Sequence, residues 1–277
     1  MNKIIVFLSL MAITFSQNNI AGYSIFDMHE TDGFDIKRAY FQYTDDISDE
    51  LFFKIRFDVG RDSDGDDETI DDTKLSAYIK NAYVDWSAYN SVLLSLGLIS
   101  TNTYGVQEKN WGYRFIDKSV FDKYKMTNTA DFGIGMAYQT GSLGVSVQLL
   151  NGEGYKKTQS ANGLMRGGVG ITYAMNKLKF RVSRDIMPRS SYTDADASQN
   201  ISTIAMGYSS GNLSVGGEYN MRENTANVVD NTTTGMSFYG SMQVNQTYSV
   251  FGRYDDGTSE NAAGERWNIN NEGNLMI

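Results

Sequence analysis

The chain lacks cysteine altogether and carries one proline, Pro188, and one histidine, His29, in 277 residues. Without cysteine it cannot build a disulfide framework, a zinc–thiolate site or a cysteine nucleophile. A single histidine cannot supply a cluster of metal ligands, and it leaves only one candidate base for a Ser-His-Asp triad. We therefore expect neither an enzyme nor a bound cofactor.

Basic residues are fewer than acidic ones, 24 against 33, which gives a formal net charge of −9. An acidic chain is a poor partner for nucleic acid, so we expect none. After residue 15 no apolar run is long enough to cross a bilayer as a helix. This does not exclude a membrane protein, because strands that cross a membrane leave only a weak alternating pattern.

The first sixteen residues predict a secretory signal peptide. Lys3 gives a positive start, residues 4–15 are mostly apolar, and the small residues Thr14 and Ser16 precede a cleavage point at Gln17. Such a segment is too short to span a bilayer. We therefore expect the mature domain to comprise residues 17–277.

Beyond residue 17 apolar side chains recur at every second position. From Leu51 to Val59, one face carries only apolar residues and the other includes Lys54, Arg56 and Asp58. Alternation over nine residues predicts a β-strand between two different environments, and the length suits a tilted membrane strand. The pattern recurs along the chain, and we predict thirteen complete strands and the start of a fourteenth near Asn271.

The predicted connections alternate between short turns and long loops. The short turns lie at 43–49, 87–90, 140–142, 175–177, 210–211 and 245–246, and the long loops at 61–74, 101–129, 151–163, 185–199, 222–234 and 256–269. Short turns on one side and long loops on the other are typical of outer-membrane barrels. We predict an all-β, antiparallel transmembrane barrel in a bacterial outer membrane. A secreted β-sandwich binding module is a weaker alternative that does not explain the loop asymmetry.

Several stretches resemble phosphate-selective porin O/P-like proteins. They are 33–41 (GFDIKRAYF), 54–60 (KIRFDVG), 80–86 (KNAYVDW) and 150–154 (LNGEG). The resemblance covers most of residues 20–277 and implies a homotrimeric channel of about sixteen strands with an inward-folded third loop. Because barrels of this kind have an even strand number, we expect the chain to be incomplete at its C-terminus. It also lacks a dense arginine ladder.

Strand parity assigns the charged residues that face the lumen. We expect these to be Lys54, Arg56, Asp58, Asp85, Asp131, Arg166, Lys179, Arg181, Glu218 and Arg253, with Arg38 rather than Lys37 from strand 34–43. Basic residues outnumber acidic ones in this set, which predicts a preference for anions. The alternative is that the charges pair with each other, for instance Arg56 with Asp85.

The longest loop, residues 101–129, predicts an element of its own. Residues 113–124 have the spacing of a short amphipathic helix. We expect this loop to fold into the lumen as a constriction and to contribute Arg114, Lys118 and Lys123. The alternative is a lid at the surface.

Two other motifs have simpler interpretations. Asp62, Asp64 and Asp66 imitate the start of an EF-hand, but Asp67 and Thr73 stand where glycine and glutamate are required. We therefore predict no specific metal site, and an acidic loop that binds divalent cations loosely near lipopolysaccharide. The glycine runs at 133–135 and 167–170 lie inside strands, so a nucleotide loop is not expected.

Together these features predict a porin for passive diffusion of small anionic solutes, phosphate-like ones included. Its expected partners are outer-membrane lipid, lipopolysaccharide and two further copies of the chain. The alternative is a structural or adhesive outer-membrane barrel without an open pore.

Overall fold

The computed structural model describes residues 15–17, 19–29, 33–61, 75–103, 105–157, 164–188 and 197–276. The strands are β1 Phe15–Gln17, β2 Ile20–His29, β3 Gly33–Asp46, β4 Leu51–Arg61, β5 Leu75–Tyr89, β6 Val92–Ser100, β7 Ala130–Thr140, β8 Leu143–Leu150, β9 Arg166–Met175, β10 Leu178–Met187, β11 Gln199–Ser210, β12 Leu213–Glu223, β13 Thr232–Gln243, β14 Ser249–Glu260 and β15 Arg266–Met276. The helices are α1 Gly105–Trp111 and α2 Val120–Lys123, with a 3₁₀ turn at Thr225–Asn227. The predicted all-β, antiparallel class is confirmed.

Internal contacts divide the chain into two compact units, residues 1–86 and 87–277. In the first unit β1 to β5 pair in chain order, each antiparallel to the next. In the second unit β6 to β15 pair in the same way. Strands β2 to β15 are the fourteen strands that the alternation predicted.

The N-terminal strand β1 is additional. It pairs with β2 and includes the last two residues of the predicted signal peptide. The remainder of that peptide, residues 1–14, lies outside the described residues, as do Asp62, Asp64 and Asp66 of the acidic loop.

The short turns follow from local backbone chemistry. Gly141, Asn176 and Gly211 each have a positive φ and occupy the first position of a two-residue connection. Glycine and asparagine tolerate this conformation, which matches the twist of the strands that the turn joins. The predicted turns at these three places are confirmed.

Several predicted loops are wrong in length, because the strands continue beyond their apolar residues. Strand β10 extends to Met187, β12 to Glu223 and β14 to Glu260, and β15 begins at Arg266 rather than near Asn271. The predicted loop 256–269 therefore shortens to residues 261–265. Backbone pairing holds these polar ends together without apolar alternation; Thr232 still pairs with Glu260.

No helix in the described part of the chain is long and apolar enough to cross a membrane.

Candidate functional site

The two faces of the strands differ in the opposite sense to those of a soluble protein. On β10, Phe180, Val182 and Ile186 are 39–44% exposed. The alternating residues Arg181, Ser183 and Asp185 are at most 8% exposed. The apolar face is thus the outer one, as in a barrel that contacts lipid. A β-sandwich would bury its apolar faces, so that alternative does not fit.

In the first unit, register places four predicted residues on one polar face. Asp58 lies beside Tyr40, and Arg56 beside Gln42. Lys54 and Asp85 follow on the same face, opposite Tyr83 and Phe52 respectively. Arg38 joins this face, since its guanidinium donates a 2.8 Å hydrogen bond to the Asp58 carboxylate.

Three cations surround one ring here, and we call them the Tyr40 cluster: Tyr40, Arg38, Arg56, Lys80 and Asp58. The charged ends of Arg38, Arg56 and Lys80 lie 6.0, 5.7 and 5.1 Å from the centre of the Tyr40 ring. Lys80 also donates to the Tyr40 hydroxyl over 3.2 Å. The Asp58 carboxylate lies 3.9 Å from the Lys80 ammonium. The cluster gathers three cationic side chains around one ring, and Asp58 contacts two of them.

The register does not place Arg56 opposite Asp85, as the alternative pairing required. Arg56 lies across from Asn81, whereas Asp85 lies across from Phe52. The Arg56 guanidinium instead donates a 2.9 Å hydrogen bond to the side-chain oxygen of Gln42.

In the second unit, the predicted basic residues are mostly paired. Arg166 lies 3.1 Å from Asp185, and Arg253 lies 2.7 Å from Asp255. Arg181 donates to the Thr172 hydroxyl over 2.8 Å and to the backbone carbonyl of Asn102.

The other three predicted residues of this unit have different surroundings. Lys179 is exposed near the short turn. Glu218 is buried and accepts hydrogen bonds from the Asn220 amide and the Val120 N–H. Asp131 accepts from the N–H groups of Phe132 and Gly152, so it holds the start of β7 to the following loop.

The long loop, residues 101–129, does not have the helix predicted for 113–124. Its helices are α1 and the single turn α2, with Gly112 immediately after α1 at φ +73°. Glycine adopts this left-handed conformation without a Cβ penalty and ends the helix there. The amphipathic spacing of 113–124 belongs to a turn followed by α2.

The long loop packs onto the polar face of β10 to β14, which we call the loop wall. A core of Val120, Phe121, Tyr124 and Met126 from the loop and Ile201 from the wall is buried. The predicted inward folding of the loop is confirmed in this sense.

Polar contacts fix the loop at several points along the wall. The Tyr239 hydroxyl donates to the Gln107 carbonyl over 3.2 Å, and the Asn110 amide donates to the Val215 carbonyl over 3.0 Å. The Glu218 carboxylate accepts from Val120 N–H at 2.9 Å. These bonds hold the loop from α1 through α2.

Glycines of the wall make room for the loop. A Cβ on Gly257 would collide with the Tyr124 ring, and one on Gly235 would lie 2.7 Å from a Val120 methyl. Side chains on Gly207 and Gly216 would collide with the Asn110 amide in the same way. These glycines are therefore contact positions for the loop.

The loop's basic residues are engaged by acids. Arg114 lies 2.6 Å from Glu108 and 2.7 Å from Asp122. Lys123 lies 2.8 Å from Asp117 and 3.4 Å from Asp255. Burial opposes the charge of Lys123, but its hydrogen bond to Asp117 and the nearby carboxylates outweigh burial and raise its pKa. Lys118 is half-buried, and its backbone N–H is bonded to the Asp117 carboxylate.

Sequence reasoning missed several residues of this site. Asp185 falls in a predicted loop and Asp255 directly before one, because apolar alternation stops ahead of them. Lys80 lies at an irregularity where the register skips it, so its face could not be assigned by parity. Trp111 gave no signal, because its contacts lie far away in the chain. Its indole packs 4.8 Å from the Arg253 guanidinium.

Solved structures of similar fold identify the architecture. The chain is similar to OmpT of Vibrio cholerae (12% identity, TM-score 0.57, covering 91% of this chain and 80% of that one). It is also similar to Salmonella typhi OmpF in complex with daunomycin (12%, TM-score 0.58, 92% and 78%). A third is the outer-membrane channel DcaP of Acinetobacter baumannii (14%, TM-score 0.56, 87% and 76%).

The fold is the β-barrel fold of these outer-membrane proteins. No family model matches the sequence, and no curated protein matches it. Among the described residues there is no group of three or more histidine, cysteine or acidic side chains that could hold a metal ion.

Proposed function

We propose that the chain forms a water-filled channel in a bacterial outer membrane for passive diffusion of small solutes. The observation that carries this proposal is the reversed distribution of side chains. Large apolar residues are exposed on one face, and charged residues occupy the other. In a barrel of porin fold, the polar face is the one that meets water in a lumen.

The long loop supports a channel with a constriction. It is fixed on the polar face by a buried core and by hydrogen bonds, rather than lying over the apolar face. Because the loop adds a layer of side chains to the polar face, it narrows the lumen that this face lines. The alternative, a structural or adhesive barrel, requires the same loop to close it.

Conductance in a planar lipid bilayer distinguishes these two functions. We expect the refolded protein to give discrete steps in potassium chloride. A protein that folds into vesicles but adds no conductance would be the structural or adhesive barrel instead. Tests for hydrolysis of peptide and ester substrates check the expectation that it is not an enzyme.

The finer part of the proposal is a modest preference for anions, with phosphate-like solutes as the family resemblance implies. Its support is the Tyr40 cluster, where three cationic side chains lie within 6.0 Å of the centre of one ring on the polar face. Basic groups along a pore favour anions. The paired charges of the second unit contribute little to this preference, so we expect it to be weak.

The reversal potential in a potassium chloride gradient tests the preference. We expect a value on the anion side that moves toward zero in Arg56→Ala. Arg184→Ala is a matched control, because Arg184 is exposed and lies on the face of β10 opposite to Arg181 and Asp185. A cation-selective wild type, or equal values for both variants, would contradict the proposal.

Homotrimer formation and contact with lipopolysaccharide belong to the same proposal. The exposed apolar side chains of β7 to β14 offer the surface that both would use. Cross-linking of the protein in vesicles, followed by denaturing electrophoresis, measures the oligomeric state.

A further inference from the structure

We propose that three aromatic rings on the polar face bind the flat face of a neutral sugar as it passes the loop. The rings belong to Tyr113, Phe115 and Phe251, and we call them the aromatic patch. This inference rests on the proposed channel and adds a substrate class to it.

The rings of the patch form a continuous surface. The Tyr113 ring lies 5.6 Å from that of Phe251 at an interplanar angle of 27°, and 5.8 Å from that of Phe115. Trp111 lies 5.5 Å from Tyr113 and 5.8 Å from Phe251. Because Trp111 is only 2% exposed, it forms the base of the patch, and the other three rings form its surface.

The position of the patch is unexpected for apolar side chains. Phe251 has the same parity on β14 as Arg253 and Asp255, so it lies with them on the polar face rather than with the exposed apolar residues. Phe115 is 39% exposed in the turn between α1 and α2. Tyr113 and Phe251 are half-buried, and clustered rings that remain partly exposed among polar groups are typical of binding surfaces.

The charges around the patch favour a neutral solute. Glu108 and Asp122 are both held by Arg114, while Asp117 is held by Lys123. Asp255 is held by Lys123 and Arg253. Each of these four acids has a basic partner, so the network presents ion pairs rather than charge of one sign.

A sugar ring matches both features. Its C–H face is apolar and can cover an aromatic ring with little loss of hydration, while its hydroxyl groups can bond to charged side chains at the edge. Asp117 and Lys123 are partly exposed and are able to exchange hydrogen bonds with hydroxyls.

Block of single channels by maltotriose tests the inference. We expect the sugar to interrupt the wild-type current in a concentration-dependent way. Phe115→Ala and Tyr113→Ala should each weaken this block roughly tenfold, because each removes one aromatic contact. Phe180→Ala is the matched control, since Phe180 is equally exposed at 39% but lies on the apolar face.

Three results would overturn the inference while leaving the channel intact. The first is a conducting channel that maltotriose does not affect. The second is equal block of the Phe115→Ala and Phe180→Ala variants. The third is block by benzoate or benzyltrimethylammonium without block by the sugar, which would make the patch a site for a charged aromatic solute.

A protein that does not conduct refutes the proposed function separately. The sugar site is then tested by titrating maltotriose against tryptophan fluorescence in vesicles, with Trp111→Phe to assign the signal. Saturable quenching that Phe115→Ala weakens supports the site, and its absence refutes it.

Discussion

The polar faces of the two units hold their positive charges in different ways. In the first unit, three cations surround one tyrosine ring, two of them contact Asp58, and the Arg38 side chain remains 19% exposed. In the second unit, Arg166 and Arg253 each have a carboxylate of their own, and the Arg253 side chain is 1% exposed. The Arg38–Asp58 bridge is the more hydrated of these ion pairs, and breaking a hydrated pair costs less than breaking a buried one.

Among the described contacts, the first unit gathers three cationic side chains around one ring, whereas the second unit places Arg166 and Arg253 directly on carboxylates. The long loop lies on the wall of the second unit, and its Arg114 and Lys123 are each paired with carboxylates. The Tyr40 cluster is therefore the better candidate for setting ion preference, and the loop region the better candidate for neutral solutes.

The largest expected effect tests this difference through two aspartates. Asp255→Asn removes the carboxylate next to the buried Arg253 and should cost about 3–5 kcal/mol of unfolding free energy. Asp58→Asn should cost less, because its main partner Arg38 is partly hydrated. Urea unfolding in lipid vesicles, followed by tryptophan fluorescence, measures both. Equal losses would remove the distinction between the units.

A charge on the apolar face comes next in size. Phe57 lies beside Phe41 and Ile79 on this face, further from the short turn than Phe53. Phe57→Arg should therefore destabilise the folded protein by about 2–4 kcal/mol, and Phe53→Arg by less, because the cost falls toward the membrane interface. Phe52→Arg on the polar face is the control. If Phe52→Arg unfolds the protein as readily as Phe57→Arg, the face assignment of the first unit is wrong.

Filling a wall glycine should loosen the loop without disturbing the strands. A methyl on Gly257 would press on Tyr124, so Gly257→Ala should cost about 1–3 kcal/mol of packing free energy. On the same strand, a methyl on Gly252 would meet no described residue within 4 Å other than its chain neighbours, so Gly252→Ala should be neutral. Faster trypsin cleavage after Lys123 and Lys125 in the first variant alone is the expected readout.

The smallest expected effect is a response to alkaline pH. The pKa of Lys123 is raised above its ordinary 10.5 by Asp117 and Asp255, despite burial. The stabilisation it provides is complete below the ordinary value and is lost as pH rises past the raised one. We expect Trp111 fluorescence to change above about pH 10.5 in the wild type. A Lys123→Gln variant with the same transition would assign it to another group.

The fold could be predicted because its signals are local. Alternation from Leu51 to Val59 identifies a strand and its two faces within nine residues. A glycine or asparagine between two such runs identifies a tight turn. The same alternation places Lys54, Arg56 and Asp58 on one face, as the register does.

The site was harder to predict because its determinants are not local. The irregularity at Lys80 changes which face a side chain joins, and no residue pattern marks it. At the strand ends that carry Asp185 and Asp255 the apolar alternation stops, so the sequence there resembles that of a loop. The partners of Arg114 and Lys123 depend on how the loop folds, which the amphipathic spacing at 113–124 misrepresents.

The contacts of the long loop also bear on the order of assembly. Val120 bonds to Glu218, 98 positions later, and Gln107 to Tyr239 and Lys123 to Asp255, each 132 positions later. Contacts so distant in sequence form late, because a long chain segment must be closed before they bring any gain. The loop precedes β12 to β14 in the sequence, but it can pack against the wall only after these strands have paired. Resistance of the loop to proteolysis would then indicate that the wall has formed. A protease that cuts an unpacked loop would remove chains in which β12 to β14 had not paired.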